Sequence, residues 1–345
     1  MRFDPQHLTT DASVNRLVIA RSPGVPARLA GRQASAILSA EAVAGIAGGS
    51  GLAVSREAIA DGLGAALRSG SERERRAAGA VAAEVALRLA CLLATLRLPA
   101  TARAQGWNGW RRAYLEHWTT VNEVQLAGGL LAGDFGPVVV DATNAALVGL
   151  GVGTRATLAP WPAWAALVGA ARRLGLDAGD AVALDLGGSR AKTAVVRVRS
   201  GGAVELAHLA AARLPFGPTE QPPRETLEDV LSAALGAAAR DARGLGAEVR
   251  AVGISIACYL EQGIRCASRG AYANLPDLGD DAWRRRLAAL YGRRTELGVF
   301  HDGTAAAASG SAAAGATLVL GTAVGVGFRP AGLPEWRTLT VLPPT

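Results

Sequence analysis

The sequence predicts an α/β protein of two lobes. Three observations carry that expectation. Strand-length apolar runs alternate with helical patterns along the chain. Several of the strands run directly into glycine turns, where backbone can approach other groups closely. The chain has 345 residues, enough for two lobes with separate hydrophobic cores. Apolar residues make up 50% and charged residues 19%, the composition of a soluble globular protein. The 43 glycines and many alanines suit close helix packing and tight turns.

The elements read as follows from the N-terminus. Leu17 to Ala20 reads as a short strand, expected beside one near Leu318. Residues 35–47 and 56–68 read as short helices. "SERERRAAGAVAAEVALRLACLLATLRLP" is a long helix, opened by the capping-box spacing of Ser71 and Glu74 and stopped by Pro99. Val124 to Leu126 is a strand that meets a Gly-Gly turn and then a helix. "TRATLAP" is another strand, and "AWAALVGAARRLG" is a helix closed by Gly175. Ala181 to Leu186 and Thr193 to Val198 are strands. Residues 225–243 are helical, Val249 to Ala257 is a buried strand, and 281–291 is a helix. Gly298 to His301 is a strand, 304–314 a helix of small residues, and Leu318 to Phe328 a strand, glycine turn and returning strand.

The bulk numbers also exclude. The formal charge is +7, but the arginines are scattered and no basic stripe interleaves with aromatics, so no nucleic-acid partner is expected. Lys192 is the single lysine. The cysteines are Cys91, Cys258 and Cys266, and the histidines are His7, His117, His208 and His301. None of them has zinc spacing, so no structural zinc is expected, and the sparse odd cysteine count fits a reducing cytoplasm. The N-terminus lacks the apolar core of a signal peptide. The apolar run from Ala77 to Leu96 contains Glu84 and Arg88, which would cost about 2.5–3.5 kcal/mol each at a bilayer centre. It reads as a buried helix, and no membrane partner is expected.

Three glycine turns and two aspartates carry the chemistry. In "DLGGS", Asp185 ends a strand and is followed by Gly187, Gly188 and Ser189. Their N–H groups and the hydroxyl can converge on phosphate oxygens, or the turn is an ordinary hairpin. "LVLGTAVGVGF" repeats the pattern with Gly321 and Thr322, and the same alternative holds. Gly128 and Gly129 can let a nucleobase and ribose lie on bare backbone, or they open a helix that needs small residues. Phosphoryl transfer also requires a base and a carboxylate on the magnesium side. Asp302 in "ELGVFHDGTAAAASG" follows a strand and precedes a helix, as a base or as an N-cap. Asp185 is the natural magnesium-side group, acting through water. Lys192 lies near phosphate or is a solvated strand-edge lysine.

Together these segments resemble the actin/hexokinase/Hsp70-type ATPases, and most closely the ROK sugar kinases (repressors, ORFs and kinases). "LDLGGSRAKTAVV" resembles the family's first phosphate motif, "LVLGTAVGVGF" the second, and "FHDGTAAAASG" its catalytic aspartate motif. "EVQLAGGLLAGDFGPVVVDATNAAL" is similar to the late glycine motif near adenosine. "TLAPWPAWAALVGAARRL" is similar to the closing helix, and "LAGRQASAILSAEAVAGIA" to the helices before the late motif. The order departs from the family, because the late-type segments come first. The resemblance therefore implies a two-lobed actin-like, ribonuclease H-like fold in circularly permuted order. Residues 1–175 would correspond to the family's C-terminal lobe with the adenosine motif and closing helix. Residues 176–303 would correspond to its N-terminal lobe, with the first phosphate motif and catalytic Asp. Residues 304–345 would supply the interlobe helix and second phosphate hairpin and return to the first lobe. "GLDAGD" is a short enough join for the permutation.

The resemblance implies an ATP- and Mg²⁺-dependent carbohydrate kinase acting on a hydroxyl of a hexose or N-acetylhexosamine, with Asp302 as general base. Gly187, Gly188, Ser189, Gly321 and Thr322 would hold phosphate, and Gly128 and Gly129 adenosine. A homodimer would fit the resemblance. His301 stands where the family has Asn; a neutral ring can replace that sugar contact or simply be packed. The family's zinc segment is absent, and its sugar-binding Glu-x-x-His has its nearest counterpart in Glu335, with Thr338 where His would stand. Glu335 is a sugar contact or a surface residue, and Asn274 in "YANLPD" belongs to a sugar-pocket loop or forms a turn. The alternative function is a non-catalytic sugar- or nucleotide-binding regulator on the same fold. Residues 1–34 are too short for the helix-turn-helix such regulators carry.

Overall fold

The structure is a computed structural model. It describes every residue except 1–2, 6, 99–106, 108, 262–264, 267–269, 293, 312 and 343–345. Among the described residues the α-helices are, in chain order, α1 (Ala34–Leu38), α2 (Ala40–Gly49), α3 (Ile59–Ser69), α4 (Glu72–Arg97), α5 (Gly109–Trp118), α6 (Phe135–Gly149), α7 (Ala165–Arg173), α8 (Arg224–Gly244), α9 (Asp281–Tyr291) and α10 (Asp302–Ala308). The strands are β1 (Glu123–Ala127), β2 (Arg155–Leu158), β3 (Gly179–Leu186), β4 (Arg190–Arg199), β5 (Ala203–Arg213), β6 (Val249–Ile256), the short pair β7 (Leu260–Glu261) and β8 (Arg265–Cys266), β9 (Glu296–His301), β10 (Ala316–Leu320), β11 (Val324–Phe328) and β12 (Thr338–Val341). They form two main sheets, and the whole is mixed α/β.

The chain divides into two compact units. One comprises Met1–His7, Asp11–Ala165 and Gly310–Arg329; the other comprises Leu8–Thr10, Ala166–Ser309 and Pro330–Thr345.

The first unit holds a sheet in the order β11-β10-β1-β2, with β10 parallel to β1, β1 parallel to β2, and β11 antiparallel to β10. Its main helix, α4, starts where the capping box predicts. The Ser71 hydroxyl accepts from the Glu74 N–H, and the Glu74 carboxylate accepts from the Ser71 N–H. Val81, Val85, Leu89, Leu92 and Leu96 are buried, and α4 packs against α6. Burial in this core accounts for the apolar character that, by length and composition, would also suit a membrane span. Leu98 turns extended and ends the helix; Pro99, the expected stop, lies outside the described residues.

Two expectations for this unit need correction. The helix expected over 35–47 is broken at Ser39, whose extended backbone and hydroxyl, accepting from the Ala42 N–H, start α2 afresh. The expected strand at Leu17 to Ala20 is reduced to one antiparallel bridge between Val18 and Gln33. β10 is already flanked by β1 and β11. The N-terminal segment instead abuts β11, where the Asn15 amide pairs with both the N–H and the C=O of Val324.

The second unit holds a sheet in the order β12-β5-β4-β3-β6-β9. β3, β4 and β5 form an antiparallel meander, while β6 and β9 continue parallel to β3. α8 and α9 carry the two crossovers. Because side chains alternate along a strand, β3 splits its residues between two faces. Val182, Leu184 and Leu186 join Leu227, Leu231, Leu235 and Ala238 of α8 in one core. Ala183 and Asp185 point the other way.

On that opposite face α7 lies against the sheet. A β-carbon at Gly253 would come within 2.9 Å of the Ala170 carbonyl oxygen, and one at Gly169 within 1.6 Å of that of Ala305. Backbone-to-backbone contact of this kind needs glycine, and it seats α7 on α10. The helix expected over 304–314 is shorter and starts earlier, at Asp302.

Candidate functional site

The polar residues of the second unit gather at the C-terminal ends of the parallel strands β3, β6 and β9. In open α/β sheets this is the edge that takes ligands. In the register of the sheet Lys192 of β4 lies opposite Asp185 of β3, and Asp185 opposite Ser255 of β6. Facing partners share one face, so the three make a polar row. The Lys192 ammonium donates to Asp185 Oδ2 at 3.0 Å, and the Ser255 hydroxyl to Asp185 Oδ1 at 3.0 Å. The Asp185 side chain is 4% exposed, and these two bonds supply the charge and hydrogen bonding that a buried carboxylate requires.

β9 ends at His301 and α10 begins at Asp302. His301 is the helix N-cap: its Nδ1 accepts from the Thr304 N–H at 3.3 Å. The N-cap alternative for Asp302 is therefore replaced, since the ring does that work. With Nδ1 accepting, the neutral imidazole carries its proton on Nε2, which lies 3.2 Å from Asp302 Oδ1. The ring stacks on Tyr259, with centroids 4.4 Å apart and planes 15° from parallel. Burial, and then the nearby Arg173 charge, depress the His301 pKa to about 3, so the ring is neutral at physiological pH. Arg173 itself lies over the Phe300 ring at 4.6 Å.

Asp302 is pushed the other way, to about 7. Burial is the largest cause and the Asp185 charge the next; the Gly303 N–H, donating to Oδ1 at 2.6 Å, and the Lys192 ammonium pull back. Asp302 is thus a carboxylate that gains and loses a proton near neutrality, the behaviour a general base needs.

The first glycine turn joins β3 to β4 beside this row. The Gly187 N–H bonds to the Arg190 carbonyl, and the Gly187 carbonyl accepts from the Tyr272 hydroxyl at 2.6 Å. Among the described residues the N–H groups of Gly188 and Ser189 have no acceptor within the chain, and Ser189 is exposed. Asn274 lies in the loop that carries Tyr272. Its amide donates to the Pro222 carbonyl at 2.9 Å, a bond across 52 residues that ties this loop to the segment before α8, and it lines an open groove of about 520 Å³ with Arg224, Glu225 and Asp277.

Glu335 does not join this cluster. It is exposed, and its carbonyl packs on Gly202, which follows β4 at the strand end opposite Gly187–Ser189. The sugar-contact reading of Glu335 is corrected accordingly.

In the first unit Gly128 and Gly321 lie at the ends of the paired strands β1 and β10. Gly128 has φ +106°, and a β-carbon there would meet the Leu320 carbonyl oxygen at 2.1 Å, so chain packing alone demands glycine. Gly129 and Gly321 differ: neither has positive φ, and a β-carbon at either would have no atom within 4 Å. The N–H groups of Thr322 and Ala323 have no acceptor in the chain among the described residues.

Among the described residues no group of three or more His, Cys, Asp or Glu could cage a metal. Mg²⁺ does not need one, because it keeps several waters and uses one or two carboxylates with substrate phosphate. Asp185, with lone pairs beyond its two hydrogen bonds, fits that donor set. Sequence reasoning missed Ser255, Tyr259, Tyr272 and Arg173. Only Ser255 leaves a trace, as a polar residue inside the buried strand "VGISIA".

No family model matches the sequence, and no curated protein does. Among solved structures, a ROK hexokinase from Thermus thermophilus is similar over 44% of this chain and 47% of its own, with 26% identity and a TM-score of 0.29. The match spans less than half of either chain.

Proposed function

We propose that this protein is an ATP-dependent carbohydrate kinase that transfers a phosphoryl group to a hydroxyl of a hexose or N-acetylhexosamine. The observation that carries the reading is Asp302: a largely buried carboxylate at a strand's C-terminal end, titrating near pH 7, next to the Lys192–Asp185–Ser255 row. In this reading Asp302 accepts the acceptor hydroxyl's proton as the new P–O bond forms. His301 presents a neutral Nε2–H beside Oδ1 and fixes the carboxylate's orientation. The free N–H groups of Gly188 and Ser189 bind phosphate oxygens; in the first unit those of Thr322 and Ala323 offer the same kind of donor. Gly321 leaves the backbone open for that approach, and Gly129 does the same for adenosine. Bound Mg²⁺ would offset the phosphate charge, and Asp185 would hold it through water. Most of the acceleration would come from alignment and electrostatics.

Circular permutation is part of the proposal. Each sheet contains an antiparallel hairpin followed in space by parallel strands: β4-β3-β6-β9 in one and β11-β10-β1-β2 in the other. In the second unit the hairpin comes first in the chain; in the first unit β1 and β2 come first and the hairpin comes last. Moving the chain start within one ancestral order accounts for that reversal.

The test is ADP release from Mg-ATP with a panel of hexoses, N-acetylhexosamines and polyols. Release dependent on one sugar class supports the kinase. Tight sugar binding with no ADP release across the panel would favour the regulator instead.

A further inference from the structure

Of the 36 lysine and arginine residues, 35 are arginine. The single lysine sits against the buried carboxylate of the polar row, with its own side chain 18% exposed. Elsewhere in this chain arginine serves for surface pairs, for helix pairs such as Arg88–Glu84, and for contacts to carbonyls such as Arg172 with Ala308. Arginine would also pair well with Asp185, since its planar fork matches a carboxylate with two parallel bonds. What lysine adds is a compact point charge on a flexible stem that can leave one partner for another.

We infer that Lys192 is the exchangeable cation of this site: its ammonium neutralises Asp185 until a divalent cation takes that carboxylate, and then turns to the anionic ligand. This inference rests on the proposed kinase reading for the identity of the anion, a phosphoryl group, but the exchange itself needs only the cation. The physical reason is repulsion. An ammonium 3.0 Å from Oδ2 and a divalent ion held through water by the same carboxylate repel each other, and in a partly buried site that repulsion exceeds its value in bulk water. Ser255 holds Oδ1 from the other side, so the carboxylate stays in place while its counter-charge changes. The displaced ammonium has the Gly187–Ser189 turn nearby, on the hairpin that joins β3 to β4.

Uniqueness makes the test clean. Reductive methylation with ¹³C-formaldehyde keeps the charge and labels Lys192 together with the α-amino group, and loss of one signal in Lys192→Arg assigns the other. At fixed pH and ionic strength, titration with Mg²⁺ alone should move the Lys192 resonance saturably and leave the α-amino signal still. An unmoved Lys192 resonance overturns the inference. As a second readout, Mn²⁺ binding followed by electron paramagnetic resonance should tighten in Lys192→Met, which removes the competitor. It should weaken about tenfold or more in Lys192→Arg, which locks onto the carboxylate. A purely structural lysine predicts weakening in both, and that result also overturns it. The kinase reading fails separately: a shifting resonance without ADP release on any sugar leaves the exchange standing, and ADP release with an unmoved resonance leaves the kinase standing.

Discussion

His301 Nε2 lies 3.2 Å from Asp302 Oδ1, while the same ring caps α10 through Nδ1. One side chain therefore both starts the helix that carries the candidate base and faces the base itself. Opposed pKa shifts accompany this arrangement, with His301 down to about 3 and Asp302 up to about 7.

The first consequence concerns pH and rate. A base at about 7 is protonated and idle below that pH, so kcat/KM should climb tenfold per unit up to about pH 7 and flatten above it. A pH–rate profile in the presence of the preferred sugar checks this. An acid limb near pH 4 would mean that Asp302 is not the titrating base.

Stability should show the same group with the opposite sense of benefit. The folded pKa of Asp302 lies above its unfolded value of 3.8, so ionising it costs folding free energy. The cost is absent below about pH 4, grows as pH rises, and is complete above about pH 7. About three units correspond to a cost on the order of 4 kcal/mol. Asp302→Asn removes it and keeps an oxygen for the Gly303 N–H, so the variant should be more stable than the parent at pH 8 and nearly equal at pH 4. Denaturant titrations at the two pH values measure the difference.

His301 offers a separable pair of substitutions. His301→Ala removes the N-cap and should cost about 1 kcal/mol; His301→Asn can restore the cap and recover most of that loss. With a smaller side chain against Tyr259, water reaches Asp302 more easily, and the acid limb of the rate profile should move to lower pH in both variants. Thermal melts and pH profiles of the two together distinguish capping from tuning. An unmoved acid limb would confine His301 to the capping role.

The glycines can be sorted in the same way. Gly128→Ala must resolve a 2.1 Å approach to the Leu320 carbonyl at φ +106°, and should destabilise the first unit by about 3 kcal/mol or more. Gly321→Ala meets no atom within 4 Å and should leave stability within about 0.5 kcal/mol. If the open backbone there receives phosphate, nucleotide affinity in Gly321→Ala should nevertheless fall about tenfold or more. Calorimetric titration with ATP analogues reads this out, and unchanged affinity would remove Gly321 from the site.

Much of this was legible in the sequence because the signals were local. The Ser71–Glu74 box, the apolar strand of Asp185 and the strand-to-helix junction at Asp302 each lie within a few residues. Other elements carry no such signal. β5 was missed because "AVELAHLAAAR" is poor in branched and aromatic residues; pairing with β4 makes it a strand. β12 exists as a parallel partner to β5, a long-range condition no window of residues encodes. The partners of Asp185 and Gly187 were hidden for the same reason. Ser255 meets Asp185 across 70 residues, and Tyr272 meets Gly187 across 85. Glu335 was drawn in by motif spacing, whereas its position beside Gly202 depends on how the C-terminal segment returns to the sheet.

The most direct measurement is sugar-dependent ADP release at pH 8 by the parent protein and by Asp302→Asn, with ATP affinity measured on both. The expected result is turnover in the parent, a loss of about 10²–10⁴-fold in the variant, and matching ATP affinities. A variant that turns over sugar as fast as the parent, with its fold intact, would contradict it.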